Sequence, residues 1–230
     1  VITTRASVAT SPSWLGACGA LGCATELVGF TSGDRLEGRP GGGEPAFLHL
    51  AGQSRQKGTD ILLDLWRKHP EWPTLTVVIR PNNPVARDPG LANVRFLTGF
   101  LEDCELRRLQ NDHLFHLCPS EVEGFGHSLV EAMSCGAVTL TTDAPPMNEL
   151  VTPERGMLVP YHAGQPQRLG MNYYVDPEAL ERCIEEMLAM PAERRAEFGA
   201  NARDWYLRND ARFRARLVET IERNGRRMRR

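Results

Sequence analysis

The sequence predicts an α/β fold: a Rossmann-like parallel sheet with helices on both faces. Three observations lead there. From residue 46 onward, short and almost wholly apolar runs alternate with stretches of helical periodicity. The apolar runs lack a polar face, as expected of strands covered on both sides. Loops rich in Gly, Pro, Asn and Asp separate them.

Residues 1–45 do not follow this pattern. Residues 1–22 are rich in Ala, Thr, Ser and Gly, and 34–45 contain a Gly-Gly-Gly run and two prolines. That composition reads as an irregular segment followed by a mobile linker, with one short strand over 26–32. The regular domain, 46–222, opens with a strand over 46–51 and a polar loop over 52–58. A helix follows over 59–69, with apolar residues at Ile61, Leu62, Leu65 and Trp66, Thr59 as its N-cap and Pro70 and Pro73 beyond its end. Further strands are expected at 75–79, 94–97, 114–118, 137–142 and 156–160, and a helix at 102–110. Residues 143–151 read as a loop with one helical turn, and 161–175 as a long connection. Asp176 is an N-cap with Pro177 at the first helical position. Leu180, Ile184, Met187 and Leu188 form one apolar face. Pro191 starts a helix to about Asn209, and Trp205, Tyr206, Phe213, Leu217 and Ile221 mark a last one. Residues 223–230 are a basic, solvated tail.

Bulk composition narrows the function classes. With 41% hydrophobic and 24% charged residues in 230, the chain has the balance of a soluble globular protein and can bury a core. A net charge of -2 gives no general attraction to nucleic acid. The six cysteines include no C-x-x-C pair, which indicates reduced thiols in a cytoplasmic protein. Arg5 has no apolar core behind it, so no signal peptide is expected. A peripheral contact of the basic tail with anionic lipid is the alternative to a purely cytoplasmic location.

The chemistry concentrates in residues 119–136, Pro-Ser-Glu-Val-Glu-Gly-Phe-Gly-His-Ser-Leu-Val-Glu-Ala-Met-Ser-Cys-Gly. This stretch lies between two strands and passes from a glycine-bracketed turn into a helix. Gly124 and Gly126 let backbone approach a ligand closely. A helix starting near Gly126 or His127 aims free N–H groups and a positive dipole end at that ligand, which suits a phosphate. Glu123 and Glu131 would repel a phosphate, but they suit neutral hydroxyls beside it. A sugar and a ribose flanking a diphosphate supply those. The competing reading is a structural turn with solvated acids.

Glu123 and Glu131, seven residues apart in the setting Pro-Ser-x-x-Glu-Gly-Phe-Gly-x-x-x-x-Glu-Ala-Met-x-x-Gly, resemble the signature of retaining GT-B glycosyltransferases of family four, the glycosyl transferases group 1. The resemblance covers roughly 46–222 and implies the donor-binding half of such an enzyme, with 1–45 as a remnant of the first domain. It implies that Glu123 is catalytic, contacting the transferred sugar, and that Glu131 holds the ribose hydroxyls. Backbone N–H groups of Gly126, His127, Ser128 and Leu129 would bind phosphate, beside Gly124 and Phe125. Lys57 matches the lysine that offsets the leaving diphosphate. The family's arginine is replaced by Gln53, after Gly52, with Arg55 as a candidate second cation. Gly99 and Phe100 match a region that packs along the nucleobase. Glu149 matches a family glutamate, although Pro145 and Pro146 stand where glycines are usual. His116 and Cys118 share a strand face and read as core.

The implied reaction is retaining transfer of a glycosyl group from a nucleotide sugar to an acceptor hydroxyl. No cofactor or metal is expected. The acceptor is unspecified. A separate polypeptide carrying the acceptor domain, or a second copy through the C-terminal helix, is the expected partner. The alternative is a non-catalytic nucleotide-sugar-binding module or an inactive fragment.

Overall fold

Six parallel strands form from the apolar runs; the central ones are buried along nearly their whole length, whereas the first and last in the sheet are partly exposed. The structure, a computed structural model, describes residues 2–3, 26–85, 87–167 and 170–227. The strands are β1 (Glu44–Gly52), β2 (Leu75–Ile79), β3 (Val94–Thr98), β4 (His113–Cys118), β5 (Val138–Thr142) and β6 (Gly156–Val159). They lie in the order β3-β2-β1-β4-β5-β6, every neighbouring pair parallel. This is the doubly wound arrangement, and it reverses direction between β1 and β4. Crevices for ligands open at such a reversal, outside the carboxyl ends of the strands.

Helices cover both faces. Helix α1 (Thr59–Lys68) presents Leu62, Leu65 and Trp66 to a core containing Phe47, Phe115 and Ile184. Trp66 meets Phe47 edge-on with ring centroids 5.3 Å apart, a favourable aromatic geometry. Helix α2 spans Asp103–Asp112 and α3 His127–Ser134. A second cluster joins Leu129, Val130 and Met133 of α3 to Met147 and Leu150 of α4 (Met147–Leu150). Helix α5 (Pro177–Ala189) starts as expected, with the Asp176 side chain accepting from the Ala179 N–H.

Four features differ from expectation. Thr59 is the first helical residue, not the cap; Gly58 caps, and the Thr59 hydroxyl instead bonds buried His49 at 2.9 Å. Instead of a plain connection, β7 (Tyr161–Gln167) pairs antiparallel with β8 (Gly170–Val175), and the Tyr173 N–H ties the pair to the Glu121 carbonyl at 2.8 Å. The two expected last helices are one helix, α6 (Ala192–Arg227), that buries Phe198, Ala202 and Tyr206 against the domain.

Finally, residues 28–43, which hold most of the expected mobile linker, form a docked strap. Arg35 is buried, donating to Gln110 at 2.8 Å and Asp103 at 2.6 Å. Arg203 of α6 grips Asp34, and the Gly41 N–H bonds the Cys135 carbonyl at 2.9 Å. Residues 1, 4–25 and 228–230 lie outside the described residues, and with them most of the irregular segment and the end of the basic tail.

Candidate active site

Two loops meet at the reversal point. The loop after β1 carries a 3-10 turn, Arg55–Lys57, capped by the Ser54 side chain, which accepts from the Gln56 N–H at 3.2 Å. It ends on Gly58 at φ 73°. A Cβ there would stand 2.3 Å from the Pro119 carbonyl oxygen, so only glycine lets this loop press against the one after β4. The Glu121 N–H then bonds the Gln56 carbonyl at 2.9 Å, stitching the loops together. His49 lies beneath them. Its Nδ1–H donates to the Leu117 carbonyl at 2.8 Å, and burial brings its pKa down to about 4, so the ring stays neutral.

Across this seam Lys57 Nζ sits 2.5 Å from Glu123 Oε1. The Ser120 hydroxyl donates to the same oxygen at 2.8 Å. Ser120 is itself held by Thr142, whose hydroxyl donates to its carbonyl at 2.6 Å. The Glu123 side chain is only 8% exposed and that of Lys57 21%. An ammonium has three donors, so Lys57 keeps two beyond the one given to Glu123.

Helix α3 starts at Gly126, whose φ of 76° turns the chain into the helix. Its first N–H groups, near His127 and Ser128, have no intrahelical acceptor, as at any helix start. Leu129 differs from expectation, because its N–H is spent on the Gly126 carbonyl at 3.1 Å and its side chain is core. Gly124 has open space where a side chain would be. Phe125 is 50% exposed and packs 5.2 Å from Phe30 of the strap. Phe30 also meets the His127 ring edge-on at 4.8 Å.

Glu131 follows about one turn along α3. Its Oε1 accepts from the Ser32 hydroxyl at 2.9 Å and its Oε2 from Gln110 Nε2 at 2.9 Å. Gly52, at φ 55°, has open space beside it, and its carbonyl accepts from the Arg80 N–H at 2.9 Å. Gln53 is exposed. Gly99 donates to the Ile79 carbonyl at 3.1 Å, and Phe100 beyond it is 69% exposed. The Arg80 guanidinium lies 4.4 Å above the Phe100 ring. Arg80 was not singled out from the sequence; its place directly after a strand was the only available signal.

Arg55 does not join Lys57. It is exposed, 3.9 Å from Asp60, and lines a separate 300 Å³ cavity with Glu121, His162 and Tyr174. Desolvation in this region raises the Glu121 carboxyl pKa. Glu149 lies in the short helix α4, whose Asn148 side chain donates to Asp143. His116 and Cys118 are core, as expected. His116 Nε2 bonds the carbonyls of Gln110 and His113, and burial pushes the Cys118 thiol up to about 12. Among the described residues no three His, Cys, Asp or Glu side chains form a metal-binding group.

A larger cavity of 630 Å³ lies at the opposite end of the sheet. Pro45 and Leu114, near the starts of β1 and β4, line it together with Arg39, Arg195 and Arg203.

A family model described as glycosyl transferases group 1 matches residues 37–205, well over half of the chain. The serotype-specific mannosyltransferase WbdA of Escherichia coli is 34% identical over 138 residues, 60% of this chain and 16% of that protein. Among solved structures, sucrose-phosphate synthase from Thermosynechococcus elongatus superposes with TM-score 0.69 at 21% identity, covering 99% of this chain and 58% of the other. Anabaena Alr3699/HepE, solved with UDP and glucose, gives TM-score 0.70 at 17% identity, with 96% and 62% covered. The chain thus spans a small fraction of the curated relative and less than two thirds of either solved chain. At these identities the structural likeness speaks for the fold, that of one half of a GT-B glycosyltransferase.

Proposed function

The chain belongs to the glycosyl transferases group 1 family, and from that premise we propose that its crevice binds a nucleotide-sugar donor for retaining transfer to an acceptor hydroxyl. The observation that carries this reading is the Lys57–Glu123 contact across the two loops at the sheet's reversal point, beside the start of α3. A cation, a helix N-terminus and a carboxylate are gathered where a phosphate-linked sugar needs all three.

This reading gives each residue a role. The two remaining Lys57 donors and the first N–H groups of α3 offset the charge that builds on the leaving diphosphate. Glu123 contacts hydroxyls of the transferred sugar and steadies positive charge at its anomeric carbon. Glu131 accepts from the ribose hydroxyls. Phe100, with Arg80 stacked on it, offers a flat face to the nucleobase. The bond from the anomeric carbon to the phosphate oxygen breaks. The acceptor oxygen bonds to that carbon on the same face, and its proton passes to the departing phosphate. The acceptor arrives from the open side of the crevice, brought by a separate polypeptide or a second copy contacting α6. We place this chemistry in the cytoplasm.

Support for the donor also comes from Anabaena HepE, a fold neighbour solved with UDP and glucose. Calorimetric titration with UDP, GDP and ADP tests the reading. One of the three is expected to bind. A folded sample that binds none of them overturns it. Donor hydrolysis and transfer assays then separate an enzyme from a binding module.

A further inference from the structure

Glu131 is held more closely than a solvated helix residue. A carboxylate has about four lone-pair sites, two on each oxygen. Among the described residues, Ser32 occupies one on Oε1 and Gln110 one on Oε2, each at 2.9 Å. One site remains on each oxygen, which is the pattern a vicinal diol requires.

Both donors are themselves fixed. Ser32 is 8% exposed, and its hydroxyl also lies 3.1 Å from His127 Nδ1. A serine hydroxyl has one proton. As it donates to Glu131, it accepts from His127 Nδ1–H, which sets the tautomer of that ring. The Ser32 carbonyl accepts from Tyr206 at 3.0 Å, so α6 holds this part of the strap in place. Gln110 is fully buried. Its Oε1 accepts from Arg35 Nε at 2.8 Å, which orients its amide so that Nε2 faces Glu131. Two strap residues, Ser32 and Arg35, therefore act on the same carboxylate, one directly and one through Gln110.

We propose that Ser32 and Gln110 are positioning residues that aim the Glu131 carboxylate at a ribose diol and set a preference for ribonucleotides over 2′-deoxyribonucleotides. The proposal rests on the nucleotide-sugar reading above and assigns the specificity of its ribose end. A carboxylate held at both oxygens loses little freedom when two hydroxyls arrive, and it leaves an acceptor unmatched when one hydroxyl is missing. Released from either donor, Glu131 is held at one oxygen alone and discriminates less.

The probe is whichever of UDP, GDP and ADP binds the wild-type chain, titrated beside its 2′-deoxy counterpart. Wild type is expected to favour the ribonucleotide by about tenfold or more. Ser32→Ala lowers that ratio roughly threefold or more, Ser32→Thr restores it, and Gln110→Leu lowers it as Ser32→Ala does. Thermal unfolding of each variant confirms that it is folded. Ribonucleotide preference in wild type that persists unchanged in both Ser32→Ala and Gln110→Leu overturns the proposal and leaves the nucleotide site standing. Equal weakening of both nucleotides, with the ratio kept, also overturns it. A wild-type chain that binds no nucleotide overturns the functional reading itself.

Discussion

The two glutamates at the crevice sit in opposite electrostatic settings. Glu123 is paired with a cation, Lys57, and takes a second bond from Ser120 on the same oxygen. Glu131 takes its hydrogen bonds, among the described residues, from two neutral donors, Ser32 and Gln110, one on each oxygen. The difference teaches how one short motif separates two tasks. At the Glu123 corner, lysine and carboxylate neutralise each other until a ligand carrying both phosphate and sugar draws them to different groups. At the Glu131 corner the negative charge has no ion-pair partner among the described residues, an arrangement that suits hydroxyls and disfavours phosphate. The pairing also explains how Glu123 tolerates being 8% exposed, since a buried carboxylate without a partner is costly.

The largest expected effect breaks the seam that serves the first corner. Gly58→Ala should destabilise the chain by about 3 kcal/mol or more, because a methyl at positive φ would meet the Pro119 carbonyl. Chemical denaturation measures it, and a change within 0.5 kcal/mol would show that the loops are not held as described. Next, Lys57→Ala should weaken nucleotide binding by about 2–3 kcal/mol, since it removes a cation and leaves Glu123 unpaired. Titration calorimetry reads this directly. An unchanged Kd would remove Lys57 from the phosphate site.

A sharper comparison substitutes the acids themselves. Glu131→Gln should weaken nucleotide binding by about 1–2 kcal/mol, whereas Glu123→Gln should leave the Kd within a few-fold and lower transfer or donor hydrolysis by about a hundredfold. Reversal of that pattern would exchange the two roles. The smallest effect concerns the floor of the site. His49 and His116 are both buried, and desolvation takes each pKa from 6.5 down to about 4. The unfolded chain binds these protons first, so stability is complete above pH 6.5 and is lost as pH falls toward 4. From pH 7 to pH 6 the two together should cost about 1 kcal/mol. Replacing both with Gln should flatten the profile in that window, and an unaltered slope would mean that neither histidine is held neutral.

The sheet and the motif were legible from the sequence because their signals are local. Four apolar residues and a threonine at 75–79, flanked by Pro73 and Arg80, read as a buried strand, and that strand is observed at Leu75–Ile79. The positions of Gly126, Glu131 and Gly136 gave away the turn, the helix and its end. Other features depend on partners far along the chain. The glycine-rich composition of 34–45 looks like a linker, and its docking rests on Arg35, Asp34 and Gly41 meeting residues some 70 to 170 positions away. Composition carries no record of such bonds. The pairing of β7 with β8 escaped for a similar reason: β7 is polar and exposed, and β8 buries only Asn172 and Val175, so neither leaves an alternating pattern.

The sequence by itself therefore determined the six strands of the main sheet and the helices between them, the family and the pair of acids, because periodicity and motif spacing act over a few residues. Only the tertiary structure decided that Arg55 lies beside Asp60, that the Leu129 N–H is already spent, and that Ser32 reaches back to Glu131. Each of those is a question of direction, settled by which atoms the packed chain brings within three or four ångströms.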